Sequence, residues 1–308
     1  MKKNDFENAI QNVLNDNISG SQSIVNEVIQ LSESYVLSNE FEALFLIENY
    51  LQVYSKFPQF AVLFHFLNEA FLELSKLQQA NYNQFDFHNF IQQYLAHYKN
   101  VNADIFRYLI EKEDFKSKSI FLHSNSCTIK EVVTEISKTQ EIKEIIQTIS
   151  YPAKEGVKQA EFFAGMNINV NLIPDAAIFR FVKLSDIVLL GADTIFEEFF
   201  INKTGTQSIV VAANYFNKPV YVLADSRKII PHHKLSPTLI KAFLNEHEKP
   251  GSELLEKSNE NIVPLNYYFE KTPSNLVSAF ITEDGFFKAE NLYSNLKDVE
   301  ISELLLGI

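Results

Sequence analysis

Apolar residues in the first third of the chain recur at the spacing of one helix face. They stand three and four positions apart, so each stripe would cover one side of a helix and could pack against a neighbouring helix. The pattern therefore predicts an α-helical bundle over residues 1–114. Clear stripes are Phe6, Ile10, Val13 and Leu14; Leu44, Ile47, Leu51 and Tyr54; and Phe87, Phe90, Ile91, Tyr94 and Leu95.

A polar run at residues 112–118 ends this pattern. Beyond it, short apolar segments of strand length alternate with helical stretches, which indicates βαβ units around a mainly parallel sheet. We therefore predict an α/β chain with an α-helical domain over residues 1–114 and an α/β domain over residues 115–308. The predicted strands are residues 119–123, 144–149, 167–173, 186–190, 219–224 and 262–264, and the predicted helices include residues 128–137, 155–163, 205–215 and 274–280.

Composition narrows the class of protein. Hydrophobic residues make up 46% of the chain and charged residues 21%, which is typical of a folded globular protein. The formal net charge of -12, with no run of Lys or Arg, argues against nucleic acid as a direct partner. No window holds the roughly 18 apolar residues of a membrane-spanning helix, and no signal-peptide core follows Met1. We expect no membrane partner and a cytoplasmic location.

Polar residues follow the predicted strands at their carboxyl ends, where ligands bind in open α/β sheets. The most informative is Asp193, which comes directly after the apolar run of residues 187–190. A carboxyl group in such a low-dielectric position can have its pKa raised into the range of a general base. The alternative is a plain loop or helix-capping carboxylate. The other residues in these positions are His123, Ser124, Asn125, Tyr151 and Asp175.

A second polar segment begins at Asn202 and precedes a predicted helix. The free backbone N–H groups of a helix start, with Lys203 adding charge, would hold an anion or ligand hydroxyls. The alternative is an ordinary capped helix with a solvated lysine. Lys228 also follows a predicted strand end, where a solvated turn is the alternative. The predicted ligand-binding residues of these segments are Asn202, Lys203, Gly205, Thr206 and Lys228.

Residues 188–229, VLLGADTIFEEFFINKTGTQSIVVAANYFNKPVYVLADSRKI, resemble the core signature of the initiation factor 2B family. That family groups the regulatory α, β and δ subunits of eukaryotic initiation factor 2B with methylthioribose-1-phosphate isomerase and ribose-1,5-bisphosphate isomerase. Residues 266–273, NYYFEKTP, and 281–283, ITE, are similar to two further family motifs, and Asp175 fits the family's Asp-Ala after the third strand. The resemblance implies a helical N-terminal domain, a Rossmann-like C-terminal domain of the NagB/RpiA/CoA-transferase-like kind, and homodimers paired through the C-terminal domain.

The resemblance breaks at the first strand end. In the isomerases that strand leads into Thr-His-Cys-Asn, whose cysteine works with the aspartate of the Gly-Ala-Asp motif to move protons between adjacent sugar carbons. Here the matching residues are Leu122, His123, Ser124 and Asn125. A serine hydroxyl is a far weaker acid than a thiol, so the resemblance implies impaired isomerase chemistry, with Asp193 and Ser124 as the catalytic candidates. Cys127 is expected to be a small buried residue on the following helix.

A second departure concerns the arginines. The family's Glu-x-Arg-Pro segment aligns with residues 149–152, ISYP, where both the acid and the arginine are missing and Tyr151 precedes the proline. Residues 1–106 contain no arginine at all. Lysines would then bind a phosphate only as point charges, without the bidentate fork of a guanidinium group.

Three functions are compatible with these observations, in this order. The first is a non-catalytic or regulatory homologue that binds a small phosphorylated metabolite, such as a sugar phosphate or a nucleotide. The second is an active aldose–ketose isomerase that uses Asp193, and the third is a translation initiation factor 2B-like subunit. No metal is expected, because no ligand set stands at metal spacing, and no cofactor is implied.

Overall fold

The computed structural model describes residues 1–16, 20–78, 82–244, 248–257, 260–293 and 299–306. Within these ranges the first third of the chain is helical, as the apolar spacing predicts. None of the described helices is long and apolar enough to cross a membrane. The helices that precede the first strand are α1 (Lys3–Asn15), α2 (Ser21–Val36), α3 (Ala43–Lys56), α4 (Ala61–Ser75), α5 (Gln84–His97) and α6 (Val101–Ile110).

The helices of the first third of the chain form because their apolar faces are buried, and α5 also has a side-chain cap at its start. In α4, Phe66, Leu67 and Phe71 are fully buried, whereas Glu69 and Glu73 are partly exposed. Helix α5 begins with a capping box, in which the Asn83 side chain accepts from a backbone N–H and the Asp86 side chain accepts the N–H of Asn83. The apolar stripes thus determine which face each helix buries, and the capping box determines where α5 starts.

The rest of the chain builds a seven-stranded sheet with the order β10-β9-β7-β4-β1-β2-β3 and a separate three-stranded sheet with the order β5-β6-β8. All neighbours in the larger sheet are parallel except the β9–β10 pair. The predicted α/β class, with helices first and a mainly parallel sheet after them, is confirmed. The strands are β1 (Ser119–Leu122), β2 (Glu144–Thr148), β3 (Val170–Ile173), β4 (Ile187–Leu190), β5 (Thr194–Ile195), β6 (Phe199–Lys203), β7 (Val220–Leu223), β8 (Phe269–Pro273), β9 (Ala279–Thr282) and β10 (Gly285–Phe287).

The side of the sheet on which successive strands are added changes at β1. The chain moves from β1 to β2 and β3 on one side, and then returns to place β4 and β7 on the other side of β1. Such a reversal opens a crevice beyond the carboxyl ends of the two central strands. The remaining helices are α7 (Cys127–Thr139), α8 (Glu155–Gly165), α9 (Ile178–Val182), α10 (Thr206–Tyr215), α11 (Pro237–Leu244), α12 (Ala289–Leu292) and α13 (Glu303–Leu306).

Two predicted elements are wrong. Residues 274–280, predicted as a helix, form a short 3-10 turn at Ser274–Leu276 and then enter strand β9, whose four residues are all buried. A short apolar run that is buried on both faces has no periodicity to separate strand from helix. Residues 262–264, predicted as a strand, form none, and Ile262 and Val263 are exposed there rather than packed in a sheet.

The chain divides into two compact units. The first contains α1–α5, α11 and α13, and the second contains α6–α10, α12 and all ten described strands. The predicted ranges 1–114 and 115–308 stay a prediction. Helix α6 packs on α7, β9 and β10 within the second unit, and α11 and α13 belong to the first. In the first unit, the Phe243 ring of α11 lies 5.2 Å from that of Phe64. Contacts between residues so distant in sequence leave no trace in a local periodicity.

Gly156 in the first turn of α8 allows that helix to approach the end of β2. A Cβ atom at this position would overlap the carbonyl oxygen of Thr148 and would lie 2.9 Å from Nε2 of Gln147. The Gly156 N–H donates to the carbonyl oxygen of Ile149 at 3.1 Å. Glycine is therefore required by close packing, and this packing fixes the position of Glu155, the first residue of α8.

Gly156→Ala is expected to lower the free energy of unfolding by about 1–3 kcal/mol, because backbone atoms must move to admit the methyl group. The matched control is Gly165→Ala in the last turn of the same helix, where nothing lies within 4 Å of an added Cβ. That control should be neutral or stabilising by up to about 1 kcal/mol, since alanine favours a helix over glycine. Urea unfolding measures both, and equal stability of the two variants would contradict the assignment.

Candidate functional site

Ser124 lies two residues beyond β1, at the reversal of the sheet. Its φ of 64° is in the left-handed region, which is uncommon for a serine. Two hydrogen bonds hold the backbone there: the Ser124 N–H donates to Oγ of Ser150 at 2.8 Å, and its carbonyl oxygen accepts from Nε2 of Gln147 at 3.1 Å. The strand end is thereby fixed from β2 and the loop after it.

The side chain of Ser124 belongs to a cluster with Glu155 and Lys203. The Ser124 hydroxyl donates to Oε1 of Glu155 at 3.0 Å, and Nζ of Lys203 lies 2.9 Å from the same oxygen. The Lys203 side chain is only 4% exposed. In the part of the chain that the structure describes, Nζ of Lys203 and Oε2 of Glu155 are buried without a hydrogen-bond partner, so the Lys203–Glu155 contact is an ion pair without aligned hydrogen bonds. We refer to these three residues as the Ser124 cluster.

An aromatic ring covers another side of the Lys203 ammonium group. Nζ lies 4.1 Å from the ring centroid of Tyr268, which is cation–π distance. The Tyr268 hydroxyl donates to Oε2 of Glu253 at 2.7 Å, and burial, followed by this carboxylate, raises the pKa of Tyr268. The charge of Lys203 is thus balanced inside the protein by one carboxylate and one ring.

His123 is buried and fixes the turn before α10. Its Nε2 lies 3.1 Å from the carbonyl oxygen of Thr204, which can only accept, so Nε2 carries the proton. Its Nδ1 then accepts from the hydroxyl of Thr148 at 2.6 Å. Burial lowers the pKa of His123, so the ring is neutral. Gly205, with a φ of 108°, faces the ring so closely that a Cβ would lie 3.1 Å from it.

The start of α10 is occupied by a carboxylate of this chain. Oε1 of Glu270, in β8, accepts from the backbone N–H groups of Gly205 and Gln207, both at 2.8 Å. The hydroxyl of Thr206 donates to the carbonyl oxygen of Lys203 at 2.6 Å and accepts from Nδ2 of Asn202 at 2.9 Å. Two of the N–H groups predicted to hold a ligand anion are therefore filled by Glu270, and Asn202 and Thr206 bond to each other.

A cavity of about 520 Å³ opens beside these residues, beyond the ends of β2 and β3. One of its walls is the loop after β2, which Asp175 holds in place. The two carboxylate oxygens of Asp175 accept the backbone N–H groups of Ser150 at 2.9 Å and Tyr151 at 2.6 Å. The polar residues that line the cavity include Tyr151, Lys154, Asp175, Thr204 and Ser208.

The remaining predicted site residues lie in different places. Asn125 is exposed after β1, and Tyr151 is 48% exposed on the cavity wall. Asp193 is half-buried between β4 and β5, where its backbone N–H donates to the carbonyl oxygen of Ile201 at 2.9 Å. Lys228 belongs to the first unit, at the end of a 3-10 turn. Cys127 is exposed at the start of α7, so its expected burial is wrong.

Three residues of the site were not predicted: Glu155, Glu270 and Lys154. Glu155 stands in the first turn of α8, where an acid is expected for helix stability alone, so its sequence position carries no functional signal. Glu270 was noted only as part of a motif, because its role depends on pairing between β6 and β8. The roles of Glu155 and Glu270 are recognised only from contacts between parts of the chain that are distant in sequence.

These elements define an α/β protein with a ligand-sized cavity at the carboxyl ends of parallel strands. The chain belongs to the Initiation factor 2 subunit family, whose sequence model matches residues 42–289. It is 29% identical over 179 residues to the ribose 1,5-bisphosphate isomerase of Methanocaldococcus jannaschii, covering 57% of this chain and 56% of that protein. It is 38% identical over 104 residues to the translation initiation factor eIF2B subunit alpha of Dictyostelium discoideum, covering 33% and 32%. The matched regions thus span little more than half of these relatives at most.

Solved structures share the fold over most of the chain. The 5-methylthioribose 1-phosphate isomerase of Pyrococcus horikoshii OT3 superposes with a TM-score of 0.75 at 19% identity, covering 94% of this chain and 86% of that one. A translation initiation factor eIF-2B of the same organism gives a TM-score of 0.73 at 20% identity, covering 92% and 96%.

The lowered pKa of His123 predicts a pH dependence of stability. Below a pH of about 6.5 this histidine becomes protonated in the unfolded chain but stays neutral in the folded chain. The free energy of unfolding therefore decreases as the pH is lowered, by at most about 1.4 kcal/mol per pH unit, until the pKa of folded His123 is reached. His123→Gln should remove this contribution, making the loss of unfolding free energy between pH 7.5 and pH 5.5 smaller than in the wild type. His97→Gln, on an exposed part of α5, should retain the wild-type dependence. An unchanged pH dependence in His123→Gln would contradict a neutral buried ring.

Proposed function

We propose that this chain is a small-molecule-binding member of its family, which binds a hydroxyl-bearing phosphorylated metabolite without converting it. The observation that carries the proposal is the Ser124 cluster. At the position that matches the isomerases' cysteine, a serine hydroxyl donates to Glu155, and the charge of Glu155 is balanced by the ammonium group of Lys203. The proposal includes a homodimer formed through the C-terminal part of the chain.

The proton chemistry of the cluster argues against turnover. A sugar isomerase needs a group that gives and takes a proton near neutral pH, and a serine hydroxyl does so only beside a strong base. The Glu155 oxygen that accepts from the Ser124 hydroxyl also lies 2.9 Å from Nζ of Lys203, so it is already engaged in an ion pair. His123 is neutral, but both ring nitrogens already bond to Thr148 and Thr204.

The cavity and two unsatisfied atoms support ligand binding. A volume of about 520 Å³ is within the usual size of small-molecule sites. Buried polar atoms are almost always hydrogen-bonded in folded proteins, yet Oε2 of Glu155 and Nζ of Lys203 have no such partner in the described ranges. A hydroxyl group has both the donor that this oxygen lacks and the acceptor that this nitrogen lacks. The names of two relatives, a ribose 1,5-bisphosphate isomerase and a 5-methylthioribose 1-phosphate isomerase, support a phosphorylated sugar.

The second candidate function is an active aldose–ketose isomerase with Asp193 as its base. It is favoured by the position of Asp193, three residues beyond the end of β4, which pairs with β1. The third, a subunit of an initiation factor 2B-like assembly, is favoured by relatives of that name, including the eIF2B subunit alpha of Dictyostelium discoideum.

A panel of pentose phosphates and methylthioribose 1-phosphate tests the first proposal against the second. At least one compound should stabilise the wild type, by about 2.7 kcal/mol at a hundredfold excess over its Kd, and none should be isomerised. Ser124→Cys should bind the same compound and gain slow turnover, because a thiol with a pKa near 8.5 is partly ionised at neutral pH. Ser137→Cys on α7 is the control for an added thiol and should gain none.

Two results would contradict the proposal. Turnover by the wild type that disappears in Asp193→Asn would establish the enzyme instead. Absence of stabilisation by every compound would exclude a phosphorylated sugar ligand.

A further inference from the structure

We propose that the side chain of Tyr268 is a gate over the Ser124 cluster and that the carboxylate of Glu253 holds this gate closed. The inference rests on the proposed binding function and adds to it the way in which access to the cluster is controlled. Oε2 of Glu155 and Nζ of Lys203 are buried and have no hydrogen-bond partner within the described ranges. Because both atoms are buried, a ligand reaches them only after a covering group moves.

The backbone on both sides of the cluster is held in place. Lys203 ends strand β6, which pairs with β5 on one side and with β8 on the other. Glu155 begins helix α8, whose first turn packs so closely that a Cβ at Gly156 would overlap the carbonyl oxygen of Thr148. Opening through either backbone would break strand hydrogen bonds or this close packing, so the group that moves is a side chain.

The ring of Tyr268 is the cover over the ammonium group. Tyr268 is half-buried, and its ring centroid lies 4.1 Å from Nζ of Lys203, so the ring reaches both solvent and the buried charge. The Tyr268 backbone is fixed, since its carbonyl oxygen accepts from the N–H of Thr204 at 2.8 Å. A change of side-chain rotamer leaves that bond intact, and side chains that reach the surface change rotamer readily. Such a rotation would uncover Nζ.

Glu253 holds the outer end of the ring. Its Oε2 accepts from the Tyr268 hydroxyl at 2.7 Å and from Nδ2 of Asn266 at 2.8 Å. Nζ of Lys249, at 5.3 Å from the ring centroid, adds a second cation–π contact. Glu253 is exposed, so water can replace the Tyr268 hydroxyl when the bond breaks, and no buried carboxylate is left unsatisfied. The bond between Glu253 and Tyr268 is therefore reversible.

The turn that carries Glu253 is held by hydrogen bonds rather than by a hydrophobic core. Residues 250–254 are all described, and none of them is buried. The Tyr151 hydroxyl donates to the carbonyl oxygen of Glu253 at 3.0 Å, and Nδ2 of Asn266 donates to that of Pro250 at 3.0 Å. Segments with few buried apolar contacts open at a low free energy. The gate is thus held by a segment that opens more easily than the sheet beside it.

Pulse acetylation with acetic anhydride, followed by peptide mass spectrometry, measures access to Lys203. In the wild type, Lys203 should react at least about tenfold more slowly than Lys138, whose side chain is 59% exposed, because a covered amine reacts only while it is open. Tyr268→Phe keeps the ring but loses the bond to Glu253, and it should raise the Lys203 rate about three- to tenfold, the effect of one net hydrogen bond. Tyr268→Ala removes the cover and should raise the rate further.

Glu253→Ala tests the same bond from its other partner. It should raise the Lys203 rate at least as much as Tyr268→Phe, and the double variant should react no faster than Glu253→Ala, because both changes remove one shared bond. Glu256→Ala, an exposed acid three residues further along, is the matched control and should leave the rate within about twofold of the wild type. Unchanged urea unfolding of Tyr268→Phe and an unchanged Lys138 rate exclude a folding defect.

Two results would overturn the inference and leave the proposed function untouched, since neither involves a ligand. One is wild-type Lys203 that reacts as fast as Lys138, and the other is an unchanged Lys203 rate in both Tyr268→Phe and Glu253→Ala. Faster acetylation in these two variants supports the gate. If it is found while no sugar phosphate stabilises the wild type, the gate stands and the proposed ligand class fails.

Discussion

The ion pair between Lys203 and Glu155 is the interaction on which the site depends. Lys203 ends strand β6 of the small antiparallel sheet, whereas Glu155 begins helix α8 after the parallel strand β2. A lysine that is 4% exposed requires an opposite charge nearby, because an unpaired ammonium group would lose its hydration without compensation. The pair therefore links the small sheet to the first turn of α8. Ser124 is oriented toward this pair by its hydrogen bond to the same carboxylate oxygen.

Internal charge compensation explains the character of the site better than the loss of any single catalytic residue. Glu155 neutralises Lys203, and Glu270 occupies the start of α10. In both places the chain supplies its own anion where a ligand's charge could bind. This internal compensation is the structural basis of the proposed function, recognition without proton transfer.

The sequence predicted the architecture well where the signal was local. The alternation of strands and helices after residue 115 predicted a parallel sheet. The strand-end residues His123 and Ser124 contact Thr204 and Glu155, respectively. The spacing of apolar residues wrongly predicted a helix where β9 begins, because a strand that is buried on both faces has no alternating pattern.

The partners of these residues could not be predicted from the sequence. Glu155 and Glu270 read as ordinary acids near helix and strand ends, and only the packing of α8 on β2 and of β8 on β6 reveals their contacts. Gly156 is informative in hindsight, since a glycine in the first turn of a helix is unfavourable unless close packing requires it.

A double-mutant cycle between Glu155 and Lys203 tests the central claim most directly. Glu155→Gln and Lys203→Met should each lose about 3–5 kcal/mol of unfolding free energy, since each leaves one buried charge unpaired. The double variant should lose clearly less than the sum, which gives a coupling energy above about 1 kcal/mol. The exposed pair Glu135 and Lys138 provides the control cycle, with a coupling below about 0.5 kcal/mol. Additive losses at Glu155 and Lys203 would contradict an account in which this ion pair organises the site.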